Sequence, residues 1–300
     1  MSTRARVTAA FLVVYVIWGS TYLAIRFAVS TIPPFLMAGA RYFIAGLLIV
    51  AWLALHGQGR ANRRQWRDAT IVGAFMMLGG NGIVCWAERF ETSSITALLV
   101  STIPIWVVLL DWLWMKGPRP TRRMFAGLVL GFLGVGMLVR PGADASASGG
   151  VSLLGAGALL LAAALWAAGI VYSRRAALPS TPALAVGMQM MTGGILLLLT
   201  GSLLGEWTSF DPARVSSRSF GSLLYLITFG SLLAHSCFLW LIRVTSPAKA
   251  ATNAFVNPIV AVFLGWALAG EKLTPLTLLA AAVAISGVVL IVRGRSTPRP

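Results

Sequence analysis

Ten apolar runs, each long enough to cross a lipid bilayer, follow one another through this sequence. They lie at roughly 7–28, 34–55, 69–89, 93–115, 121–139, 151–172, 182–204, 219–242, 247–269 and 274–292. A helix of about 20 residues covers the ~30 Å hydrocarbon core. Backbone in lipid must satisfy its own polar groups, so such runs are helices; a transmembrane β-barrel shows short alternating segments instead. Composition agrees, with 58% hydrophobic and 11% charged residues and a mean hydropathy of +0.83. Soluble domains carry roughly 25% charged residues, so a soluble enzyme and a disordered chain are both excluded. The expected fold class is an all-α polytopic membrane protein with ten transmembrane helices.

Arg4 and Arg6 before an apolar run resemble the start of a signal peptide. The run from Val7 to Ala28 is too long for that and ends without a small-residue cleavage site, so an uncleaved first span is expected.

The formal net charge is +16. Basic residues gather in alternate loops, which is the pattern of membrane orientation rather than of a nucleic-acid surface. With the N-terminus inside, seventeen Lys and Arg fall on the cytoplasmic side and five on the outer side, Arg89, Arg140, Arg214, Arg218 and Lys272. Arg26 and Arg41 lie within spans. Both termini are therefore expected in the cytoplasm. Most acids, including Glu88, Glu91, Asp144, Glu206, Asp211 and Glu271, fall outside. No nucleic-acid partner is expected; the lipid bilayer and a small-molecule substrate are.

The halves repeat. At an offset of 154 residues Asn81 meets His235, Trp86 meets Trp240, Arg89 meets Arg243, Pro104 meets Pro258 and Trp112 meets Trp266. At 153, Gly134 meets Gly287; at 148, Trp18 meets Trp166 and Arg26 meets Arg174. Such a series at nearly one offset is the mark of duplication. The small, polar stretch 141–150 reads as a linker. The expected units are 1–140, linker 141–150, 151–293 and a cytoplasmic tail 294–300. Five spans per half is an odd number, so the second half enters the membrane upside down. Inverted repeats are the architecture of secondary transporters, which expose a midplane site alternately to each side.

Trp18-Gly19-Ser20-Thr21-Tyr22, Ala40-Arg41-Tyr42-Phe43 and Gly79-Gly80-Asn81-Gly82 resemble the drug/metabolite transporter superfamily. So do Asn257-Pro258-Ile259-Val260-Ala261-Val262 and Gly270-Glu271-Lys272-Leu273, and the whole is similar to two EamA domains in tandem. The resemblance implies a ten-helix inner-membrane exporter of small metabolites such as amino acids or drugs. That family often places Glu after the fourth span of each half. Glu271 fills that place in the second half, whereas Lys116-Gly117-Pro118 stands there in the first.

Polar groups deep in apolar spans face a cavity or a neighbouring helix. Tyr15, Trp18, Tyr22 and Arg26 share one helical face. They either stack a substrate or pack toward lipid, with Arg26 snorkelling outward. Trp166 is the repeat mate of Trp18. Asn81 lies between glycines and either bonds substrate or ties helices together; Glu88 further along reads as a rim charge. Ser101, Thr102 and Pro104 in span four match Asn253, Asn257 and Pro258 in span nine, two Pro-interrupted spans at corresponding depth. Thr228, Ser231 and His235 fall at helical spacing and suggest one polar stripe, with His235 either a coupling-proton carrier or a neutral hydrogen-bonding group. Arg41 either binds a substrate carboxylate or pairs with Glu88. The candidate substrate-binding residues are thus Trp18, Tyr22, Arg41, Asn81, Thr102, Trp166, His235, Asn253 and Asn257, with helix kinks at Pro104 and Pro258.

Spans five and ten are nearly free of polar groups. Gly127-x-x-x-Gly131 in span five suits close packing at the periphery or in a homodimer. Cys85 and Cys237 sit at opposite depths, so no disulfide is expected. Asp111 has no evident partner. No metal motif, cofactor or catalytic residue is indicated. The expected function is secondary transport by alternating access; a membrane-embedded transferase and a channel-like facilitator are the alternatives.

Overall fold

The computed structural model describes residues 3–117, 119–138, 151–245 and 252–295. The expected linker 141–150, Pro247 and tail residues 296–300 lie outside them. The described residues form ten long helices: α1 (Thr3–Ala28), α2 (Pro34–Leu55), α3 (Arg63–Ala87), α4 (Ser93–Leu113), α5 (Arg122–Leu138), α6 (Leu153–Ser173), α7 (Pro182–Leu203), α8 (217–244), α9 (Asn253–Ala269) and α10 (Pro275–Arg295). All but α5 and α9 have the length and hydropathy of a membrane crossing; those two are 17 residues each. The chain is an all-helical polytopic membrane protein.

Local signals set the helix starts. Pro34, Pro182 and Pro275 occupy first positions, where a missing N–H costs nothing. Asn62 and Gln65 form a reciprocal cap on α3, and Thr92, Ser152 and Ser216 accept backbone N–H bonds at the starts of α4, α6 and α8. Acids in the loops finish the same task. Glu206 accepts the Leu36 amide at 2.9 Å, Glu91 accepts the Ser152 hydroxyl at 2.7 Å and Glu271 accepts the Ser93 amide at 2.8 Å. Carboxylates at these helix N-termini also complement the helix dipole.

Equivalent helices of the two halves pack against each other in opposite directions. Along α2 and α7, Gly39 meets Leu198, Phe43 meets Gly194 and Gly46 meets Met191, so one advances as the other retreats. Along α5 and α10, Gly127 meets Ile291 and Gly134 meets Ala284 and Ala280 in the same sense. By contrast α1 and α9 run parallel, with Tyr15 bonded to Thr252 and Arg26 to Glu271. The packing of α1 on α8 and α9 has its counterpart in that of α6 on α3 and α4. The two five-helix halves are therefore inverted repeats about a pseudo-two-fold axis.

The Gly127 and Gly131 stripe is occupied within the chain. A Cβ at Gly127 would lie 2.6 Å from the Gly287 carbonyl, so these glycines bring α5 and α10 together within the chain.

Candidate functional site

Two helices depart from α geometry at matching places. α3 is π-helical over Ala74–Gly82 and α8 over Leu226–Leu233. A π turn bonds i to i+5, widens the helix and is frequent at functional sites. Asn81 lies within the first segment; His235 follows two residues after the second. This register also overturns the expected stripe on α8. With more residues per turn than an α-helix has, Thr228 turns out to the exposed face and bonds the Leu224 carbonyl, while Ser231 is buried.

A cavity of about 420 Å³ opens between the halves, lined from α1, α2, α3, α4, α6, α7, α8 and α9. Repeat-related residues converge on it in pairs: Trp18 with Trp166, Asn81 with His235, Pro104 with Pro258. Tyr22, Arg41, Asn253 and Asn257 line it too. Thr102 does not; it is fully buried, and its hydroxyl donates to the Leu99 carbonyl at 2.6 Å. Ser101, which does line it, likewise donates to the Leu98 carbonyl at 2.6 Å, at a break in α4 over residues 101–102 just before Pro104. Pro258 sits inside the unbroken α9.

Several lining groups are held by neighbours. His235 Nδ1 lies 3.3 Å from the Gly230 carbonyl, within the π segment. Trp18 Nε1 donates to the same oxygen at 3.2 Å, and its ring meets His235 edge-on at 5.0 Å. Gly79 and Gly80 admit side chains: a Cβ on Gly80 would stand 2.7 Å from the Trp166 ring. The Cys85 thiol donates to Asn81 Oδ1 at 3.5 Å. Asn257 Oδ1 is buried with no partner. Gln189 on α7 also lines the cavity and was not among the expected residues. The signal for it was present, since the 148-residue offset that pairs Trp18 with Trp166 and Pro34 with Pro182 places Gln189 opposite Arg41.

Arg41 is 3% exposed. Its Nε donates to Ser231 Oγ at 3.0 Å, its guanidinium lies 4.7 Å from the centre of the Tyr42 ring, and Nη1 has no partner. The expected pair with Glu88 does not form. Glu88 ends α3, and both of its carboxyl oxygens are buried without a hydrogen-bond partner.

Ion pairs instead stand at the two ends of the bundle. Toward the end of α1, Arg26 does not snorkel to lipid but pairs with Glu271, which also takes the amides and hydroxyls of Ser93 and Ser94. Burial disfavours the charged Glu271, yet the serine donors and Arg26 outweigh it and hold the carboxyl below its ordinary range. At the other end Arg174, the repeat mate of Arg26, pairs with Asp111 at 2.9 Å. Asp111 thus has a partner after all, and α4 supplies there the carboxylate that the Lys116-Gly117 turn lacks. This pair is the looser one: the aspartate is 25% exposed, against 2% for Glu271.

The EamA-like transporter family model matches residues 7–140 and again 153–293. The chain is 35% identical over 287 residues to the uncharacterized inner membrane transporter YedA of Escherichia coli (strain K12), covering 95% of this chain and 90% of that protein. The uncharacterized transporter YvbV of Bacillus subtilis (strain 168) is 27% identical, over 98% of this chain and 93% of that one. A solved crystal structure 20% identical in sequence shares the fold with a TM-score of 0.64, over 98% of this chain and all of the other. Two matches to one family model, on two halves that pack as inverted repeats around a shared cavity, establish that this chain belongs to the EamA-like transporter family and is a membrane transporter.

Proposed function

We propose that the protein is a secondary transporter of the bacterial inner membrane that exports small metabolites, such as amino acids or drugs, by alternating access. The observation that carries this reading is the cavity lined in repeat-related pairs by two antiparallel halves. A rocking of one half against the other exposes such a site to each side in turn. Seventeen basic residues against five favour cytoplasmic termini, which makes the cavity's buried-pair end the outer one. Trp18, Tyr22, Arg41, Asn81, Trp166, His235, Asn253 and Asn257 are the proposed substrate contacts, and His235 is the proposed site of a coupling proton.

The test is flux in reconstituted vesicles, screened with amino acids and organic drugs, with and without an imposed pH gradient. Accumulation against a gradient is expected, and Asn81→Leu or Asn257→Leu lowers flux at least tenfold at unchanged protein level. His235→Gln is expected to retain exchange and lose acceleration by the pH gradient. Chemical conversion without translocation identifies a transferase, and flux that never accumulates identifies a facilitator. Normal transport by both Asn variants places the path elsewhere.

A further inference from the structure

Arg41 is a buried cation that forms no ion pair among the described residues, although the buried Glu88 carboxyl stands within its electrostatic reach. Its neighbours are a serine hydroxyl, a tyrosine ring and the Gly230 backbone, all neutral. Among the described residues no carboxylate lies within 4 Å of it, and Nη1 has no acceptor. A guanidinium in apolar surroundings carries a large desolvation cost unless paired and fully hydrogen-bonded. The other half of the molecule shows that packing does not demand the charge. At the offset that relates α2 to α7 the residue is Gln189, neutral, and it lines the same cavity. One side of a two-fold site thus holds a charged fork and the other an amide. Around them Trp18, Tyr22 and Trp166 supply flat apolar surface, and about 420 Å³ accommodates a solute of one ring and a short chain.

We infer that the cavity takes an organic anion, a carboxylate on a flat apolar body, with Arg41 as its counter-charge. A guanidinium offers the carboxylate a planar fork of N–H donors, and the low dielectric around it strengthens the attraction. A neutral isostere of the same shape leaves Arg41 unpaired and binds more weakly. The inference rests on the reading of this cavity as the transport site and adds the charge of its cargo.

The experiment is equilibrium binding to the full-length protein in nanodiscs of zwitterionic lipid, with no flux involved. The probes are radiolabelled 3-phenylpropionate and its neutral amide, each also measured against excess chloride. The wild-type protein is expected to hold the acid at least tenfold more tightly than the amide, with little displacement by chloride. Arg41→Gln, which copies the Gln189 side, brings the ratio to about one, and Arg41→Lys restores part of it. Glu88→Gln leaves the ratio unchanged. Equal retention of acid and amide by the wild type, at zero or at any level, overturns the inference, as does a preference that survives Arg41→Gln. Thermal unfolding without any probe guards against a misfolded variant. Arg41→Gln should unfold no lower than the wild type, and a large drop shows a charge already satisfied within the chain. Selective binding with no vesicle flux sinks the transporter reading and leaves the anion site standing. Flux with no preference between acid and amide does the reverse.

Discussion

Glu271 shows how one carboxylate organises three segments. It joins the end of α1 through Arg26, the start of α4 through two serines, and the α9–α10 turn on which it sits. Glu271→Gln keeps the shape and removes the charge, leaving Arg26 unpaired beside Ser93 and Ser94. Loss of one partner of a buried pair costs about 3 kcal/mol, so a clear drop in thermal midpoint is expected in nanodiscs at pH 7. The pH dependence has a definite sign. The folded carboxyl lies below its ordinary value, so its contribution is complete above roughly pH 4.3, the unfolded value, and fades as pH falls through the folded one. The gap between wild type and Glu271→Gln should therefore be constant from pH 7 to about 5 and narrow as the pH falls further, through the lowered folded value. A gap that instead closes on raising the pH contradicts the assignment. Neither this pair nor Arg174 with Asp111 was legible in the sequence. Partners 245 residues apart meet only because two inverted halves interlock, and residue order says nothing of which helix ends become neighbours. The cavity aromatics were legible, because Trp18 and Trp166 are rare residues related by a repeat.

Helix by helix, what sequence could not supply was register. Apolar length and proline placement give each helix its existence and its start. A π turn changes which face a residue occupies without any compositional mark, since it answers to packing, and the stripe through Thr228 was lost for that reason. Glycine contacts carry information of the same kind. A Cβ on Gly46 would stand 2.6 Å from the Gly187 carbonyl, where α2 and α7 cross. Gly157 on α6 faces open space. Gly46→Ala is expected to destabilise by about 2 kcal/mol through overpacking. Gly157→Ala should be neutral or stabilise by about 0.5 kcal/mol through reduced chain entropy. Thermal unfolding of the two variants side by side measures both signs, and equal effects contradict the close approach of α2 and α7.

For the whole molecule, duplication with inversion was the most readable property, because a count of spans and a count of charges settle it together. Its orientation is open to direct measurement. With Cys85 and Cys237 replaced by Ala, single cysteines at Arg64, Arg119 and Arg175 should react with an impermeant thiol reagent only from the cytoplasm. A cysteine at Asp211 should react only from outside. All four positions are exposed. Labelling of Arg175 from outside would separate the second half from the orientation proposed for the first.

The two halves share a plan, but their end pairs differ in strength: Glu271 is almost sealed, with five donors, whereas Asp111 stays in touch with water. Under the alternating access proposed above, a molecule with identical ends would rest equally often open toward either side. The different placement of the two carboxylates breaks that tie. In such a cycle the well-bonded end is the costlier to hydrate, so the idle protein would dwell closed there and the slow stroke would be the one that separates Glu271 from Arg26. Duplication supplied two ends built on matching arginines, Arg26 and Arg174; the drift of a few residues afterwards made them unequal.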